Sequence, residues 1–142
     1  MKQLLFFSFF ICALNLYGQV LDICISNVRN FQGQLCVAIF ADKKGYEAQK
    51  PVQLTNYDKS RVENGEFRVR ISLKPGIYAL SVLDDENENK EMDYTLLGMP
   101  REGFGFSGYT FNGFKKPRFD DFSFRIKEDE LKKIQVVMRY LK

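Results

Sequence analysis

The chain of 142 residues contains no histidine and no tryptophan, and only three cysteines and four prolines. Without histidine a Ser-His-Asp triad cannot form, and a frequent zinc ligand is missing. Charge of one sign is also scarce: 21 Lys and Arg against 18 Asp and Glu give +3, which does not indicate a nucleic acid or an anionic membrane as partner. No glycine-rich phosphate loop or dinucleotide fingerprint is present. These absences exclude triad hydrolases and give no support to nucleotide-binding enzymes.

Long apolar runs are missing too. The longest, Leu4 to Leu14, falls short of the roughly 18 residues that span a bilayer. Lys2 precedes this run and small or polar residues follow it, which is typical of a secretory signal peptide. We expect residues 1–18 to be a signal that is cleaved after Gly18. Residues 19–142 would then form a single domain without a membrane span, in the periplasm or outside the cell, large enough for one core.

Apolar residues alternate with polar ones in several short segments, a pattern that predicts β-strands. The segments are 20–28, 35–39, 66–73 and 134–141. Two more strands are predicted at 77–83, where both faces carry apolar residues as in a central strand, and at 119–126. Turn residues such as Lys74-Pro75-Gly76 separate them, and residues 41–65 are predicted to be loops with one short helical turn. The sequence therefore predicts an all-β single domain, an antiparallel β-sandwich, with an open barrel as the alternative.

Two cysteines, Cys24 and Cys36, remain after signal cleavage and lie on the first two predicted strands. A hairpin centred near Asn30 would pair these strands and bring the two thiols opposite each other. Cysteine pairs in exported proteins commonly form disulfides. We therefore predict a Cys24–Cys36 disulfide, with two separate buried thiols as the alternative.

The segment from Asp84 to Asp93 carries oxygen-bearing side chains at alternate positions. Calcium prefers about six to eight hard oxygen ligands, which such a loop can supply. Lys90 stands where an EF-hand has glycine and Leu96 stands where it has its closing acid, so Glu102, returned by a Gly-Met-Pro turn, is the candidate for the missing carboxylate. The candidate calcium ligands are Asp85, Asn87, Asn89, Glu91 through its backbone carbonyl, Asp93 and Glu102. A solvated acidic loop without metal is the alternative.

Eight aromatic residues lie between Phe104 and Phe124, with glycines among them. We expect this segment to fold over the sandwich and bury its rings, because buried rings contribute strongly to small cores. The alternative is an exposed aromatic surface that binds a glycan or a protein in the envelope or outside the cell. That surface would comprise Phe104, Phe106, Tyr109 and Phe111.

Three functions are compatible with these features. The first is a non-enzymatic exported domain with a structural calcium loop, and the second is an interaction module that uses the aromatic segment. The third is a carboxylate-dependent hydrolase in which Asp85 or Asp93 works with Glu102 as acid and base. We favour the first, because the same carboxylates are better explained as cation ligands or turn formers.

Three motifs follow one another along the chain: Gly76-Ile77-Tyr78-Ala79, a D-E-N-x-N loop at 85–89 with Asp93, and a G-x-P-x-E-G-x-G-F-S segment at 98–107. Together they resemble the exported bacterial family called domain of unknown function 2141. The resemblance spans essentially the whole of residues 19–142. It implies a secreted β-sandwich of the transthyretin-like or carboxypeptidase-regulatory type, with no established activity.

Overall fold

A computed structural model describes residues 19–113 and 115–141, so the predicted signal peptide lies outside the described residues. Two short helices, α1 (Lys43–Glu47) and α2 (Phe119–Phe122), and a 3-10 turn at Lys59–Arg61 accompany the strands. None of the helices in these two ranges has the length and apolarity that crossing a bilayer requires. The strands are β1 (Val20–Ser26), β2 (Gln34–Phe40), β3 (Gln53–Asp58), β4 (Phe67–Ser72), β5 (Gly76–Asp85), β6 (Gly103–Phe106), β7 (Ser123–Ile126) and β8 (Leu131–Val137).

The strands form two sheets that pack face to face. One has the order β4-β1-β8, and the other has the order β3-β2-β5-β6, with β7 also paired to β5. The prediction of an all-β sandwich is confirmed. One pair departs from the antiparallel pattern, since β1 and β8 run parallel, with Val20 beside Leu131 and Ser26 beside Val137. Such a pair needs a long connection rather than a hairpin, and most of the domain lies between these two strands.

The alternating residues of the predicted strands face the interior, as the pattern indicated. Side chains from both sheets meet in one core, in which the most buried aliphatic residues are Leu21, Ile23, Ile25, Leu35, Val37, Ile39, Leu80, Val82, Ile126 and Val136. On β5 the same alternation continues inward to Asp84, which is also buried. The inner face of β5 therefore carries a carboxylate to the end of the apolar core.

Several element boundaries differ from the sequence prediction, and β6 lies in a segment for which no strand was predicted. Strand β3 lies within the segment predicted to be loops, because its half-exposed edge position leaves only weak alternation. Residues 119–122 form α2 rather than the start of a strand, and the last strand, β8, begins at Leu131 rather than Ile134. The short helical turn predicted between residues 41 and 65 corresponds to α1, where Asp42 accepts a hydrogen bond from the Gly45 N–H at 2.7 Å.

The predicted pairing of β1 with β2 is wrong. β1 pairs with β4 and β8, whereas β2 pairs with β3 and β5 in the other sheet. Cys24 and Cys36 consequently lie in different sheets as free, buried thiols, and the disulfide prediction is wrong as well. The Cys36 thiol lies 3.7 Å from Asp85 Oδ2, and its burial, together with this carboxylate, raises the pKa of Cys36 to about 12. Matching alternation on two strands fits two facing sheets as well as a hairpin.

The aromatic segment covers the outer face of the larger sheet. Its rings join those of β2 and α1 in a second apolar cluster built from Phe40, Tyr46, Ala79, Phe104, Phe106, Phe119 and Phe122. Edge-to-face pairs hold the cluster together, with centroid distances of 5.0 Å for both Tyr46–Phe122 and Phe104–Phe111. The buried Ser107 hydroxyl fixes this cover, because it donates to the Phe122 carbonyl at 2.7 Å and accepts from the Leu80 N–H at 3.0 Å. The expected packing of this segment over the sandwich is confirmed.

Candidate functional site

The end of the sandwich where β5 leaves the core is rich in buried polar groups, and we call it the polar end. At its centre, Lys59 Nζ lies 2.6 Å from Asp84 Oδ1, and neither side chain has any solvent exposure. The ammonium group also donates to Asn30 Oδ1 at 2.9 Å and to the Gln32 carbonyl at 2.8 Å. Asp84 Oδ2 accepts a hydrogen bond of 2.6 Å from the Tyr140 hydroxyl. Every donor of the ammonium group is therefore used, which a buried ion pair requires.

Local structure brings Lys59 to this position. It follows β3 at the start of the 3-10 turn, where Asp58 accepts the Ser60 N–H at 2.6 Å and so caps the turn. The sequence offered no signal for this lysine, because it lies in a polar segment with other charged residues. Only the packing of the turn against β5 shows that it is a core residue.

An ion pair carries the network from the core to the surface. The Arg29 guanidinium makes two bonds to Glu86, 2.6 Å from Nε to Oε1 and 2.8 Å from Nη2 to Oε2, and lies 4.5 Å from the centroid of the Tyr140 ring. The backbone N–H of Arg29 donates to the Tyr140 hydroxyl at 3.2 Å. Hydrogen bonding to Arg29 lowers the pKa of Glu86, against the opposing effect of its partial burial. Tyr140 thus links the buried pair to the exposed one.

Asp85 begins what we call the acidic loop, residues 85–102, and is itself fully buried. Its carboxylate accepts the backbone N–H groups of Asn89 at 3.1 Å and Lys90 at 2.9 Å. It also accepts a hydrogen bond of 2.7 Å from the Gln34 side-chain amide on β2. The first turn of the loop is therefore wound around a single buried side chain.

The two asparagines of the loop stabilise its backbone in the same manner. Asn87 Oδ1 accepts the Asn89 N–H at 3.2 Å, and Asn89 Oδ1 accepts the Glu91 N–H at 2.9 Å. Lys90 takes a positive φ of 64°, the left-handed conformation that glycine adopts at the corresponding position of calcium loops. The lysine at this position therefore does not prevent the tight turn.

Glu102 returns to the base of the loop, as its place after the Gly-Met-Pro turn predicts. Its buried carboxylate accepts the Glu86 N–H at 3.1 Å and the Asp93 N–H at 3.2 Å. Burial raises the pKa of Glu102, although these two backbone hydrogen bonds oppose the shift. Glu102 thus joins the two ends of the acidic loop.

The remaining candidate calcium ligands lie on the outer side of the loop. Asp93 accepts hydrogen bonds from the side-chain amides of Asn87 at 2.6 Å and Asn89 at 3.1 Å, whereas Glu91 is exposed. Within residues 19–113 and 115–141, no group of three or more His, Cys, Asp and Glu side chains is placed to hold a metal ion. The donors are hard oxygens, which suits calcium in kind, but Asp93 would have to exchange its amide partners for the cation.

The acidic loop contains what we call the hairpin tip, residues 94–100. Tyr94 and Pro100 form a bridge at its base, and the Gly98 N–H donates to the Thr95 carbonyl at 2.9 Å. Leu96 and Leu97 therefore occupy the centre of a turn, with relative exposures of 105% and 89%. In the sequence, Leu96 stands only as the residue at the place of the closing acid of an EF-hand loop. A Leu-Leu pair immediately before a turn glycine is the signal that could have identified the tip.

The four residues of the proposed aromatic surface do not form an exposed patch. Phe104 and Phe106 are buried on β6, and the half-buried Tyr109 and Phe111 pack against the same cluster. Rings in this arrangement stabilise the cover of the sheet and have little free face for a partner. This geometry favours the packing interpretation of the segment over a binding surface.

The fold and the polar end define a class: a two-sheet β-sandwich with a hydrogen-bonded acidic loop where the central strand leaves the core. A family model described as "Uncharacterized protein conserved in bacteria (DUF2141)" matches residues 23–135. The chain belongs to this family, domain of unknown function 2141, as the three sequence motifs indicated. No curated protein and no solved structure gives a significant match to the chain.

The lowered pKa of Glu86 leads to a prediction about pH. The ionised Glu86 carboxylate contributes fully to the free energy of unfolding above the ordinary glutamate pKa of 4.5. This contribution is lost as the pH falls through the lower pKa of Glu86 in the folded state. We expect Glu86→Gln to lose about 1 kcal/mol at neutral pH, since the pair is partly exposed, and to approach the parent protein in acid. Denaturant unfolding over a pH series measures this difference. Glu47→Gln, an exposed carboxylate on α1, is the control, and a loss that does not vary with pH would contradict the assignment.

Proposed function

We propose that this chain is an exported, non-enzymatic domain whose acidic loop binds calcium as a structural clamp at the polar end. The observation that carries the proposal is the conformation of the loop. Asp85 accepts the N–H groups of Asn89 and Lys90, and Asn87 and Asn89 each accept the N–H two residues further on. These side chains correspond to the first, third and fifth positions of a calcium loop, and the left-handed Lys90 corresponds to the sixth.

Residues of the acidic loop would have different roles in calcium binding. Glu102 would hold the base of the loop through the Glu86 and Asp93 N–H groups. A bound calcium ion would neutralise carboxylates that otherwise repel one another. The N-terminal segment has the pattern of a secretory signal, and an exported location would suit calcium binding, because extracellular modules bind calcium at the millimolar concentrations found there. The residues that would hold the ion are Asp85, Asn87, Asn89, the Glu91 carbonyl and Asp93.

The hydrogen bonding of the polar end supports a structural rather than a catalytic role. In the two described ranges, no buried side-chain nitrogen or oxygen atom lacks a hydrogen-bond partner. A general acid or base must reach the proton that it transfers. Of the three carboxylates considered for a hydrolase, Asp85 and Glu102 are buried against backbone N–H groups. The third, Asp93, accepts hydrogen bonds from the side-chain amides of Asn87 and Asn89.

Thermal unfolding with calcium and with a chelator tests the proposal. A ligand that binds only the native state adds about 1.4 kcal/mol at ten times its Kd, which raises the Tm of a domain of this size by roughly 5 °C. We expect Asp93→Asn to remove the calcium response while retaining the shape of the side chain. Glu63→Gln, an exposed carboxylate outside the loop, should retain the response, as the matched control.

Magnesium serves as a second control, because it demands a smaller octahedral site and gives up its water reluctantly. It should shift the Tm less than calcium does at the same concentration. Melting curves that coincide in calcium and in chelator would refute the calcium clamp.

A further inference from the structure

The hairpin tip presents apolar side chains where turns ordinarily carry polar ones. Leu96 and Leu97 occupy the two central positions of its turn, and Tyr94 below them is also exposed. None of the seven residues from 94 to 100 is charged. The tip is therefore a small convex apolar surface that other parts of the described chain do not cover.

Hydrogen bonds keep the tip from folding back to bury its leucines. The Thr95 N–H donates to the Met99 carbonyl at 2.8 Å, and the Thr95 hydroxyl accepts the Met99 N–H at 3.1 Å. Below the bridge, the Arg101 N–H donates to the Asp93 carbonyl at 2.8 Å, and the Asp93 N–H donates to the buried Glu102. The leucines are thus presented on an ordered hairpin, so little conformational entropy is lost when they contact a partner.

We propose that the hairpin tip inserts into the surface of a neutral phospholipid bilayer and holds the domain there reversibly. Three exposed side chains fall well short of the roughly 800 Å² that each partner buries in a stable protein complex. A bilayer needs no matching pocket and accepts a convex apolar element to a depth of about 5–10 Å. The leucines lie two to three residues beyond Tyr94, and that length of extended chain spans about the same distance.

Charge selects a neutral bilayer over an anionic one. The charged residues nearest the tip are one acid and one base, Asp93 and Arg101, on facing arms of the hairpin. Further down the loop Glu88, Lys90 and Glu91 are exposed, and their net negative charge would be repelled by anionic headgroups. Tyr94 has an apolar ring and a polar hydroxyl, which suits the boundary between acyl chains and headgroups.

The absence of tryptophan from the chain allows a direct test. Leu97→Trp introduces a single indole at the tip, and its emission should shift to the blue when phosphatidylcholine vesicles are added. Leu54→Trp places the same reporter on the exposed edge strand β3, where Leu54 is also more than half exposed, and its emission should stay unchanged. Chelator is present throughout, so that the outcome does not depend on calcium binding.

Vesicle flotation of the full protein provides the second measurement. The Leu96→Ser/Leu97→Ser variant should partition onto phosphatidylcholine vesicles at least about tenfold less than the parent protein. The control variant Val52→Ser/Leu54→Ser removes two apolar side chains, 61% and 56% exposed, at the start of β3 and just before it, and should partition like the parent. Equal Tm values for the parent and both variants would show that neither pair of substitutions unfolds the domain.

Three results would overturn the proposal: no binding of the parent protein to phosphatidylcholine vesicles, equal binding by the tip variant, or no blue shift of the tip tryptophan. Binding confined to phosphatidylglycerol vesicles would also overturn it, because it would indicate attraction to anionic headgroups instead of insertion.

Discussion

The Lys59→Met variant should lose about 3–5 kcal/mol of unfolding free energy, because the substitution leaves the buried Asp84 carboxylate without its cation. Methionine has a similar length and fills the same space, so the loss reports on charge more than on volume. Asp84 would retain only the hydroxyl of Tyr140 among its side-chain partners. Denaturant unfolding at neutral pH measures the change, which is a large part of the 5–15 kcal/mol typical of a domain.

Two further variants separate the charge from other effects. Lys50→Met removes an exposed lysine and should change stability by less than about 0.5 kcal/mol. Lys59→Met combined with Asp84→Asn leaves no buried charge and should recover part of the loss. If the double variant were as unstable as the sum of its two single variants, the two groups would not be coupled as the structure indicates.

Gly33→Ala should also cost about 3–5 kcal/mol, for reasons of space and backbone conformation. Gly33 lies just before β2 with a φ of 72°, and a Cβ atom there would clash with the backbone oxygen of Asp85 and lie 2.6 Å from the Cα of Glu86. Backbone atoms cannot relieve this clash by a change of rotamer, as a flexible side chain could. The substitution would therefore displace the start of the acidic loop. Denaturant unfolding at neutral pH measures the resulting loss of unfolding free energy.

Gly98→Ala is the matched control for this effect. Gly98 has nearly the same φ, 75°, but a Cβ atom there would have no neighbour within 4 Å. Gly98→Ala should lower the unfolding free energy by only about 1–2 kcal/mol, because alanine is strained in the left-handed backbone conformation. The difference between the two variants measures the close approach of β2 to the acidic loop, and equal losses would mean that the approach is not as tight as described.

Much of the fold could be predicted from local pattern. Alternation identified the core residues of β1, β2 and β4, since the side chains of a strand point to opposite faces in turn. The density of rings between Phe104 and Phe124 indicated a buried cover. The position of Glu102 after a turn indicated its return to the acidic segment. In each case the signal lies in residue types that are close together along the chain.

The predictions that were wrong concern which strands pair with one another. Strands β1 and β2 carry the same alternating pattern whether they pair edge to edge or face each other across a core. The predicted hairpin implied the Cys24–Cys36 disulfide, whereas the two cysteines are free thiols on strands of different sheets. The parallel pairing of β1 with β8 was missed for the same reason, because alternation does not reveal strand direction.

By itself, the sequence determined that the chain would form a β-rich domain, which residues of β1, β2 and β4 would face its core, and that the acidic segment would be its most polar feature. The tertiary structure alone decided that Asp84 pairs with Lys59, that the loop winds around Asp85, and that the tip exposes Leu96 and Leu97. The reason is physical. The direction in which each side chain of a strand points follows from the two-residue repeat of the strand backbone. The partners of a buried charge and the exposure of a turn depend instead on segments that lie far apart in the chain.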